Sequence, residues 1–484
     1  MVSVVLDFTK YSDYISYAFI LMSVVVAMCI ISKPGNGAYK LSWVFLVLLF
    51  PLFGGLFYLF ITGQRSTRRL EKKLEQIGEQ SRDMFSLCAA GSESAKEDIP
   101  EYSAQINYLK NGGFPIYQNT SVKYLTPGEE KFKCLLEELE KAEKYIFLEY
   151  FIIQEGYMWG KIYDVLKRKA NEGVDVRVIY DDMGCFMLLP SDFSKKLCDD
   201  GIKCVVFNPF RPFLTTLQNN RDHRKIAVID GKVGFTGGIN LADEYINKIV
   251  KHGHWKDASV MLKGEAVWSL TLIFLQMWEI CKNKQENYLD YYPWTDECCT
   301  EKSDGYVLPY ADSPLDNENI GEDVYLQIIN NAKNYLYINT PYLIIDECML
   351  TSLKLASKSG VDVRIVTPHI WDKRFVHVTT RSYYKELIES GIKIYEYKKG
   401  FIHSKTFVSD DTVATVGTIN MDFRSLYLHF ECGTCIYNSS AVFDVKEDFI
   451  KTLDECIRIT KEDCRRNWIV RLTETICRMF APLM

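Results

Sequence analysis

The sequence lacks an excess of basic residues. Its 57 lysines and arginines are outnumbered by 63 aspartates and glutamates, which gives a formal net charge of −6. Because nucleic-acid binding proteins neutralise phosphates with a basic surface, this charge balance argues against such a function. The length of 484 residues and the apolar content of 48% are instead sufficient for two buried cores.

Residues that could hold a metal ion are also few. The seven histidines form no ligand pattern with cysteines or carboxylates along the sequence. The C-x-x-C pair of Cys432 and Cys435 lies in an apolar run and has no second pair to complete a zinc site. Fifteen scattered cysteines, an odd number, are typical of reduced thiols. The sequence therefore predicts neither a metal nor a cofactor.

Charge is absent from two long segments near the N-terminus, residues 14–31 and 42–61. As helices these segments would extend about 27 Å and about 30 Å, enough to cross the apolar layer of a bilayer. A short polar turn joins them, so residues 1–64 are expected to form a transmembrane helical hairpin. Pro51 and the pair Gly54-Gly55 indicate either a kink in the second helix or close helix packing.

A group of cations follows the second apolar segment, namely Arg65, Arg68, Arg69, Lys72 and Lys73. Positive charge beside a membrane span favours the cytoplasmic side, so the rest of the chain is expected to be cytoplasmic. Residues 65–114 are interpreted as a helical or flexible linker. Near the C-terminus, arginines alternate with apolar residues over 464–484. This pattern predicts either an amphipathic helix at anionic lipid or a packed terminal helix.

Two matching motifs have the pattern H-x-K-x4-D. They consist of His223, Lys225 and Asp230, and of His403, Lys405 and Asp410. A glycine-containing turn follows each motif and leads to Asn240 or Asn420. Both motifs are rich in β-branched and apolar residues and are predicted to be strands, so the histidine and lysine share a face. Each aspartate falls on the opposite face beside a turn, which indicates a scaffold role.

The repetition extends beyond the motifs. Residues 142–149 resemble residues 332–339, for example. Between such landmarks, strand-like runs alternate with helical patterns, which predicts α/β units on a mixed sheet. We therefore expect two tandem halves, residues 115–295 and 296–484, that together build one active site.

Two carboxylates are candidates for orienting the motif histidines. Asp257 opens an apolar strand after the first motif, and Glu431 stands in the same relation to the second. A carboxylate that accepts a hydrogen bond from one ring nitrogen fixes the histidine tautomer and stabilises the imidazolium. We interpret both residues as supporting groups behind the histidines.

With these motifs the chain resembles the phospholipase D superfamily, and within it the bacterial cardiolipin synthases. The resemblance rests on residues 221–240, 340–342 and 417–425, and it covers almost the whole chain. It implies an α/β fold of two phospholipase D-like half-domains with mixed sheets that share one active site, preceded by the N-terminal hairpin. It also places the motif aspartates in the active-site signature. One position departs from the pattern, because His429 stands where the family usually has asparagine.

The resemblance implies a membrane phosphatidyltransferase of the bacterial cell membrane that needs no cofactor. One motif histidine would attack the phosphorus of phosphatidylglycerol, and the other would protonate the departing glycerol. A second phosphatidylglycerol would then accept the phosphatidyl group, which gives cardiolipin. We assign His223 as the nucleophile and His403 as the acid and base, an order that the sequence does not settle. Phosphate oxygens would be stabilised by Lys225, Lys405, Asn240 and Asn420.

Other functions remain open at the level of sequence. The same residues could hydrolyse phospholipids or transfer a phosphatidyl group to another alcohol, and phosphatidylethanolamine could replace one phosphatidylglycerol. A protein of a different class, an inactive membrane scaffold, would keep the fold without the chemistry. The presence of both complete His-Lys-Asn sets argues against the scaffold.

Overall fold

The N-terminal part of the chain is helical. The computed structural model describes residues 8–33, 36–51, 53–62, 65–87, 92–210, 216–293, 303–316 and 318–483. The first helices are α1 (Phe8–Ser32), α2 (Gly37–Leu49), α3 (Gly54–Thr62), α4 (Arg65–Phe85), α5 (Ser92–Asp98) and α6 (Ser103–Asn111). The first apolar segment of the sequence is therefore a helix, as predicted.

The second apolar segment is two helices, so the prediction of one helix over residues 42–61 is wrong, whereas the close helix packing expected at Gly54-Gly55 is present. The break contains Pro51, which has no backbone N–H and whose ring clashes with the carbonyl one turn earlier. Ser23 Oγ of α1 donates a hydrogen bond to the Pro51 carbonyl at 2.9 Å. At Gly54 a Cβ atom would lie 2.7 Å from the Cα of Val47, so glycine allows α2 and α3 to approach closely.

Helices α1 to α3 pack around a small apolar core. Its buried members are Val26, Ile30, Trp43, Val47 and Tyr58. Many other large apolar side chains of these helices are exposed, among them Leu21, Val25, Met28, Leu48, Leu49 and Leu56. Among the residues that the structure describes, no helix has both the length and the apolar character of a membrane-crossing segment.

The first half of the remaining chain contains a mixed sheet flanked by helices. The strands of this half are β1 (Thr120–Leu125), β2 (Tyr145–Tyr150), β3 (Asp175–Asp181), β4 (Lys203–Phe207), β5 (Arg221–Asp222), β6 (Lys225–Ile229), β7 (Val233–Gly237), β8 (His254–Lys256) and β9 (Ser259–Gly264), of which β5 and β8 lie outside the sheet. Its helices are α7 (Gly128–Leu139), α8 (Tyr157–Asn171), α9 (Phe193–Asp199) and α10 (Val267–Lys282). The sheet order is β1-β9-β7-β6-β2-β3-β4, in which β2, β3 and β4 are parallel neighbours.

The second half repeats this arrangement. Its strands are β10 (Tyr306–Asp312), β11 (Tyr335–Asn339), β12 (Leu343–Ile344), β13 (Asp362–Pro368), β14 (Lys393–Tyr397), β15 (Gly400–Ile402), β16 (Thr406–Ser409), β17 (Val413–Gly417), β18 (Met421–Asp422), β19 (His429–Tyr437) and β20 (Cys456–Ile459). Its helices are α11 (Ile320–Asn331), α12 (Glu347–Lys358), α13 (Arg374–Glu389), α14 (Phe423–Leu428), α15 (Ser440–Leu453) and α16 (Trp468–Phe480). The order β10-β19-β17-β16-β11-β13-β14-β20 matches the first sheet strand for strand up to the added β20. The predicted duplication and the α/β class with mixed sheets are thus confirmed.

The two halves share an apolar core, to which α10 and the residues predicted to be a linker contribute. Phe147 of β2 stacks on Phe274 of α10 with ring centroids 4.5 Å apart, and Phe430 of β19 is buried in the same cluster. In α4, Lys73 Nζ donates to the carbonyls of the last turn of α10 at 2.9 Å. The described residues of segment 65–114 are therefore mostly helical, and α4 packs on the main body.

The C-terminal helix α16 lies against both α13 and α2. Arg478 lies over the ring of Tyr383, 4.2 Å from its centroid, and Phe480 makes an edge contact with Phe45 at 5.9 Å. Four large apolar side chains of the helix are nevertheless exposed: Trp468, Ile469, Leu472 and Ile476. The helix is therefore packed on its neighbours, and contact of its exposed apolar face with anionic lipid stays a prediction.

Candidate active site

Two short strand pairs cross between the halves and bring the two motifs together. β5 of the first half pairs in parallel with the start of β19, and β15 of the second half pairs in parallel with β8. Immediately after these pairs, the His223 N–H donates to the Phe430 carbonyl at 2.9 Å. The His403 N–H donates to the Lys256 carbonyl at 2.7 Å in the same way. Each motif histidine is therefore positioned by backbone of the other half.

This crossing corrects the prediction that each motif is one continuous strand. β6 begins at Lys225 and β16 at Thr406, so both histidines precede the regular strand. The physical reason is that the histidine N–H groups are committed to the opposite half rather than to their own sheet. The shared face of histidine and lysine consequently does not come from strand alternation.

Each motif histidine is paired with the carboxylate that follows the motif in the other half. His223 Nδ1 lies 2.8 and 3.0 Å from the two carboxylate oxygens of Glu431. His403 Nδ1 lies 2.7 Å from Asp257 Oδ2. All four side chains are buried. The predicted role of Asp257 and Glu431 as supporting groups fits this geometry, and chain order alone does not reveal the exchange between halves.

The two motif lysines are buried beside the histidines. Each ammonium group donates to the backbone carbonyl of the histidine in its own motif. Lys405 Nζ also lies 2.9 Å from His403 Nδ1, and Lys225 Nζ lies 5.5 Å from the centroid of the Phe151 ring. A buried ammonium group is costly without an anionic partner, so this pair of lysines forms a site suited to an anion.

Burial controls the protonation of the histidines and lysines. It lowers the pKa of His223 far below its ordinary value, and Lys225 adds to that shift. It lowers the pKa of His403 to about 4, although the negative charge of Asp257 acts in the opposite direction. The same burial lowers the pKa of Lys225 to about 8 and that of Lys405 to about 7. The empty site therefore favours two neutral imidazoles, and an entering phosphate anion would favour protonation.

The carboxylates at the two histidines are in different electrostatic states. Burial raises the pKa of Glu431 well above its ordinary value, whereas His403 and Lys405 hold the pKa of Asp257 below the ordinary value despite its burial. Asp257 is thus an anion that can stabilise a positive charge on His403. The two histidines therefore lie beside carboxylates whose pKa values are shifted in opposite directions.

Two hydroxyl groups and one glycine near the carboxylates are not apparent from the sequence motifs. Thr418 Oγ1 and Ser425 Oγ both donate hydrogen bonds to Glu431. At the position in the first half that corresponds to Thr418, a Cβ on Gly238 would lie 2.0 Å from Asp257 Oδ1. The two halves thus hold the carboxylate behind the histidine in different ways. The longer Glu431 is held by two hydroxyl groups, whereas the shorter Asp257 packs against the backbone of Gly238. The turn signals Gly237-Gly238 and Gly417-Thr418 mark these positions in the sequence, but they do not identify the acceptors.

The motif aspartates hold turns on the far side of their strands. The Asp230 carboxylate accepts hydrogen bonds from the N–H groups of Glu143, Lys144 and Tyr145 at 2.7 to 2.9 Å. Asp410 accepts from the equivalent N–H groups of the second half. Both residues have a positive φ, 51° and 52°. This geometry is the scaffold arrangement that the spacing of the motifs predicts. The hydrogen bonds described for these two carboxylates do not include either motif histidine.

Replacing Asp230 with alanine is expected to reduce stability more than activity. Loss of three backbone hydrogen bonds, each with a net worth of about 1 kcal/mol, should lower the free energy of unfolding by about 3 kcal/mol. Asp230→Asn should lose less, because asparagine keeps an acceptor and tolerates positive φ. Chemical denaturation would measure the change, and assays well below the melting temperature should show a rate within about tenfold of wild type. A folded Asp230→Ala protein as inactive as a histidine variant would contradict the scaffold role.

The predicted phosphate ligands Asn240 and Asn420 are both buried. Asn240 is already engaged, since its amide donates to Tyr245 Oη at 2.7 Å and its oxygen accepts from the Ile152 N–H at 3.0 Å. The side-chain oxygen of Asn420 has no hydrogen-bond partner within the described part of the chain. A direct role of either amide at a phosphate stays a prediction.

His429 lies directly beside the first histidine. Its ring centroid is 5.5 Å from that of His223, and its Nδ1 is 3.8 Å from Glu431 Oε1. The residue is 9% exposed, and neither ring nitrogen has a hydrogen-bond partner among the described residues. The position that departs from the family pattern therefore belongs to the site itself.

Comparison with known protein families matches both halves and the N-terminus. A model described as cardiolipin synthase, PLD-like domain, matches residues 135–278 and 325–453. A second model, described as phospholipase D-nuclease N-terminal, matches residues 18–61. The first model thus spans β2, β6 and β7 of the first half and their counterparts in the second.

Individual relatives align over nearly the full chain. A protein named cardiolipin synthase from a Geobacillus species is 36% identical and covers 95% of this chain and 92% of its own. Another of that name from Alkalihalophilus pseudofirmus is 35% identical, with coverage of 97% and 94%. An uncharacterized Streptococcus mutans protein is 45% identical, with coverage of 92% and 96%.

A solved structure shares the fold at low sequence identity. Phosphatidylserine synthase of Haemophilus influenzae superposes with a TM-score of 0.59 at 15% identity, and the match covers 79% of this chain and 98% of that one. This likeness supports the fold alone. The family model and the full-length relatives, together with two His-Lys motifs that meet in one buried site, show that this chain is an enzyme of the cardiolipin synthase family within the phospholipase D-like proteins.

Proposed function

We propose that the protein condenses two molecules of phosphatidylglycerol into cardiolipin and free glycerol. The observation that carries the proposal is the crossed pairing of His223 with Glu431 and of His403 with Asp257. It supplies two oriented imidazoles on one site, which is what a double displacement at phosphorus requires. The full-length relatives named cardiolipin synthase support cardiolipin as the product.

In the first step, His223 acts as the nucleophile. Its low pKa keeps the imidazole neutral, so a ring nitrogen has a lone pair to attack phosphorus. A P–N bond forms to give phosphatidyl-His223, and the P–O bond to the glycerol headgroup breaks. His403 gives its proton to the departing glycerol oxygen, so the headgroup leaves as neutral glycerol.

In the second step, His403 acts as the base. It takes the proton from a primary hydroxyl of a second phosphatidylglycerol, and that oxygen attacks phosphorus. The P–N bond breaks and restores His223, while a new P–O bond completes cardiolipin. Asp257 suits His403 to this exchange because its ionised carboxylate stabilises the imidazolium in both steps. One phosphodiester replaces another, so no nucleotide is consumed.

Lys225 and Lys405 provide the charge that stabilises the phosphoryl group. Negative charge on the phosphate oxygens meets two buried ammonium groups, which interact strongly because water is excluded. Asn240 and Asn420 are proposed as additional donors next to them. Binding of the anion also offsets the effect of burial on His403 and favours the protonated form that the first step needs.

The rate should depend on pH through the lysines. Because the pKa values of Lys405 and Lys225 are lowered to about 7 and about 8, the charged forms are lost as pH rises through this range. The value of kcat/KM for phosphatidylglycerol, which reports the free enzyme, should therefore fall between pH 7 and 9. Initial rates across pH 5 to 9 would measure the effect. Arginine stays charged over this pH range, so the part of the fall in kcat/KM that is due to Lys405 should disappear in Lys405→Arg. A wild-type kcat/KM that does not change between pH 7 and 9 would show that the reaction does not require charged lysines.

We further propose that α1 to α3 associate with the bacterial cell membrane and that the two halves lie on its cytoplasmic side. The exposed apolar side chains of these helices and the cations that follow them support this arrangement. A transmembrane hairpin with catalytic units at 115–295 and 296–484 is the specific form proposed. Cys29, an exposed thiol of α1, offers a test. Peptide mapping should show that Cys29 is shielded from a membrane-impermeant maleimide in intact membranes and reacts after the protein is unfolded in sodium dodecyl sulfate. Full labelling of Cys29 in membranes would contradict the proposal.

Product analysis tests the proposed reaction. Purified full-length protein in mixed micelles would be given phosphatidylglycerol alone, with chelator and without nucleotide, and lipids and glycerol would be followed by mass spectrometry. Cardiolipin and glycerol in equal amounts are expected. Phosphatidic acid in place of cardiolipin would show a phospholipase. Absence of turnover, also after addition of phosphatidylethanolamine, would indicate a scaffold.

A further inference from the structure

A buried group of three metal-binding residue types lies at the nucleophile side of the site. The possible ligand atoms of His223, His429 and Glu431 all lie within 4.8 Å of one another. This group cannot be predicted from the sequence, because His223 is distant in the chain from the other two residues. It forms where β5 of the first half joins the start of β19.

The distances within the group are close to those around a bound ion. Zinc binds histidine nitrogen and carboxylate oxygen at about 2.0 to 2.2 Å, so neighbouring ligand atoms are roughly 3 to 3.5 Å apart. In this site Glu431 Oε1 lies 2.8 Å from His223 Nδ1 and 3.8 Å from His429 Nδ1. Small side-chain movements would place all three atoms around one ion.

An unpartnered ligand is already aimed at this position. Both ring nitrogens of the buried His429 are without a hydrogen-bond partner in the described part of the chain. A buried polar group in that state costs free energy that a ligand would recover. The Glu431 carboxylate is also held by Thr418 and Ser425, the kind of outer contact that orients a metal-ligating carboxylate.

We propose that His223, His429 and Glu431 form a binding site for a divalent transition-metal ion of the zinc type, which inhibits the enzyme reversibly. Two imidazoles and one carboxylate favour zinc, cobalt or nickel over magnesium and calcium, which prefer oxygen ligands. The nearby cationic groups Lys225 and Lys405 act on His223 and oppose a divalent cation, so the affinity is moderate. Inhibition follows because the metal takes the lone pair of one ring nitrogen of His223. The other nitrogen of the neutral imidazole then carries the proton, so neither nitrogen can attack phosphorus.

Metal binding can be measured without lipid and without turnover, so its outcome is independent of the proposed reaction. Dialysed full-length wild-type protein in detergent would be titrated with cobalt chloride and followed by visible absorption. One cobalt ion per chain with the bands of a low-coordinate site is expected, and zinc should displace it. In His429→Asn the dissociation constant should rise at least about tenfold, because one of three ligands is lost. His252→Asn, at a half-buried histidine outside the site, should bind cobalt as wild type does.

Inhibition would then be compared in an activity assay. Zinc should suppress wild type and His252→Asn alike, whereas His429→Asn, measured as a fraction of its own metal-free rate, should need at least about tenfold more zinc. Circular dichroism would establish that each variant is folded. Failure of wild type to bind cobalt at millimolar concentration would overturn the proposal. Equal binding by wild type and a folded His429→Asn would overturn it as well.

Discussion

Replacing His223 with alanine is expected to lower the rate of cardiolipin formation by at least ~10^3-fold. The variant loses the imidazole that forms the P–N bond. Among the described residues of the site, His403 is then the one remaining histidine that is hydrogen-bonded to a carboxylate. His403→Ala should cause a loss of similar size with phosphatidylglycerol, since glycerol is a poor leaving group without a proton donor. His252→Ala is the control for general effects of removing a histidine.

A substrate with a better leaving group should separate the two histidines. With a phosphatidyl ester of p-nitrophenol, departure needs no proton, so His403→Ala should release one equivalent of p-nitrophenol per chain in a rapid burst. Slow turnover should follow, because no base activates the acceptor alcohol. His223→Ala should show no burst. If His223→Ala gives the burst and His403→Ala does not, the two assignments are reversed.

Asp257→Asn and Glu431→Gln should produce the second-largest losses, on the order of 10^2 to 10^4 in kcat, with retained folding and lipid binding. Each substitution keeps the size of the side chain but replaces the carboxylate with a neutral amide. The amide can turn either its oxygen or its NH2 group toward the ring, so it no longer fixes the histidine tautomer or stabilises an imidazolium. The crossed geometry makes a specific forecast about which histidine is affected. Asp257→Asn should behave like His403→Ala, and Glu431→Gln should behave like His223→Ala.

The p-nitrophenyl substrate again provides the measurement. A burst followed by slow turnover is expected for Asp257→Asn, and a reduced or absent burst is expected for Glu431→Gln. Pairing within each half would give the opposite result, with the burst lost in Asp257→Asn. Rates near wild type for both variants would show that the carboxylates are ordinary buried acids.

The chemical groups of the site could be predicted from the sequence because they are local and repeated. Two copies of H-x-K-x4-D, each followed by a glycine turn, identify the histidines and lysines. The same spacing places Asp230 and Asp410 at turns, where the structure has them. The alternation of strand and helix likewise follows from local periodicity.

The exchange between halves could not be predicted in the same way. Pairing of β5 with β19 and of β8 with β15 is set by tertiary packing, which leaves no local pattern in either segment. Thr418 and Ser425 cannot be identified from the sequence for the same reason, since hydroxyl residues are common and their acceptor Glu431 is defined only by the fold. At Pro51 and Gly54-Gly55 the sequence predicts a kink or close helix packing, and the structure has a full break between α2 and α3 together with the close approach of Gly54 to Val47.

The measurement that tests the central claim most directly is identification of the covalent intermediate. Wild-type protein turning over phosphatidylglycerol would be quenched rapidly, digested under conditions that preserve P–N bonds, and analysed by tandem mass spectrometry. The crossed site predicts a phosphatidyl group on the peptide that contains His223, and its absence from His223→Ala. An adduct on His403, or no adduct on any histidine while cardiolipin is being formed, would contradict it.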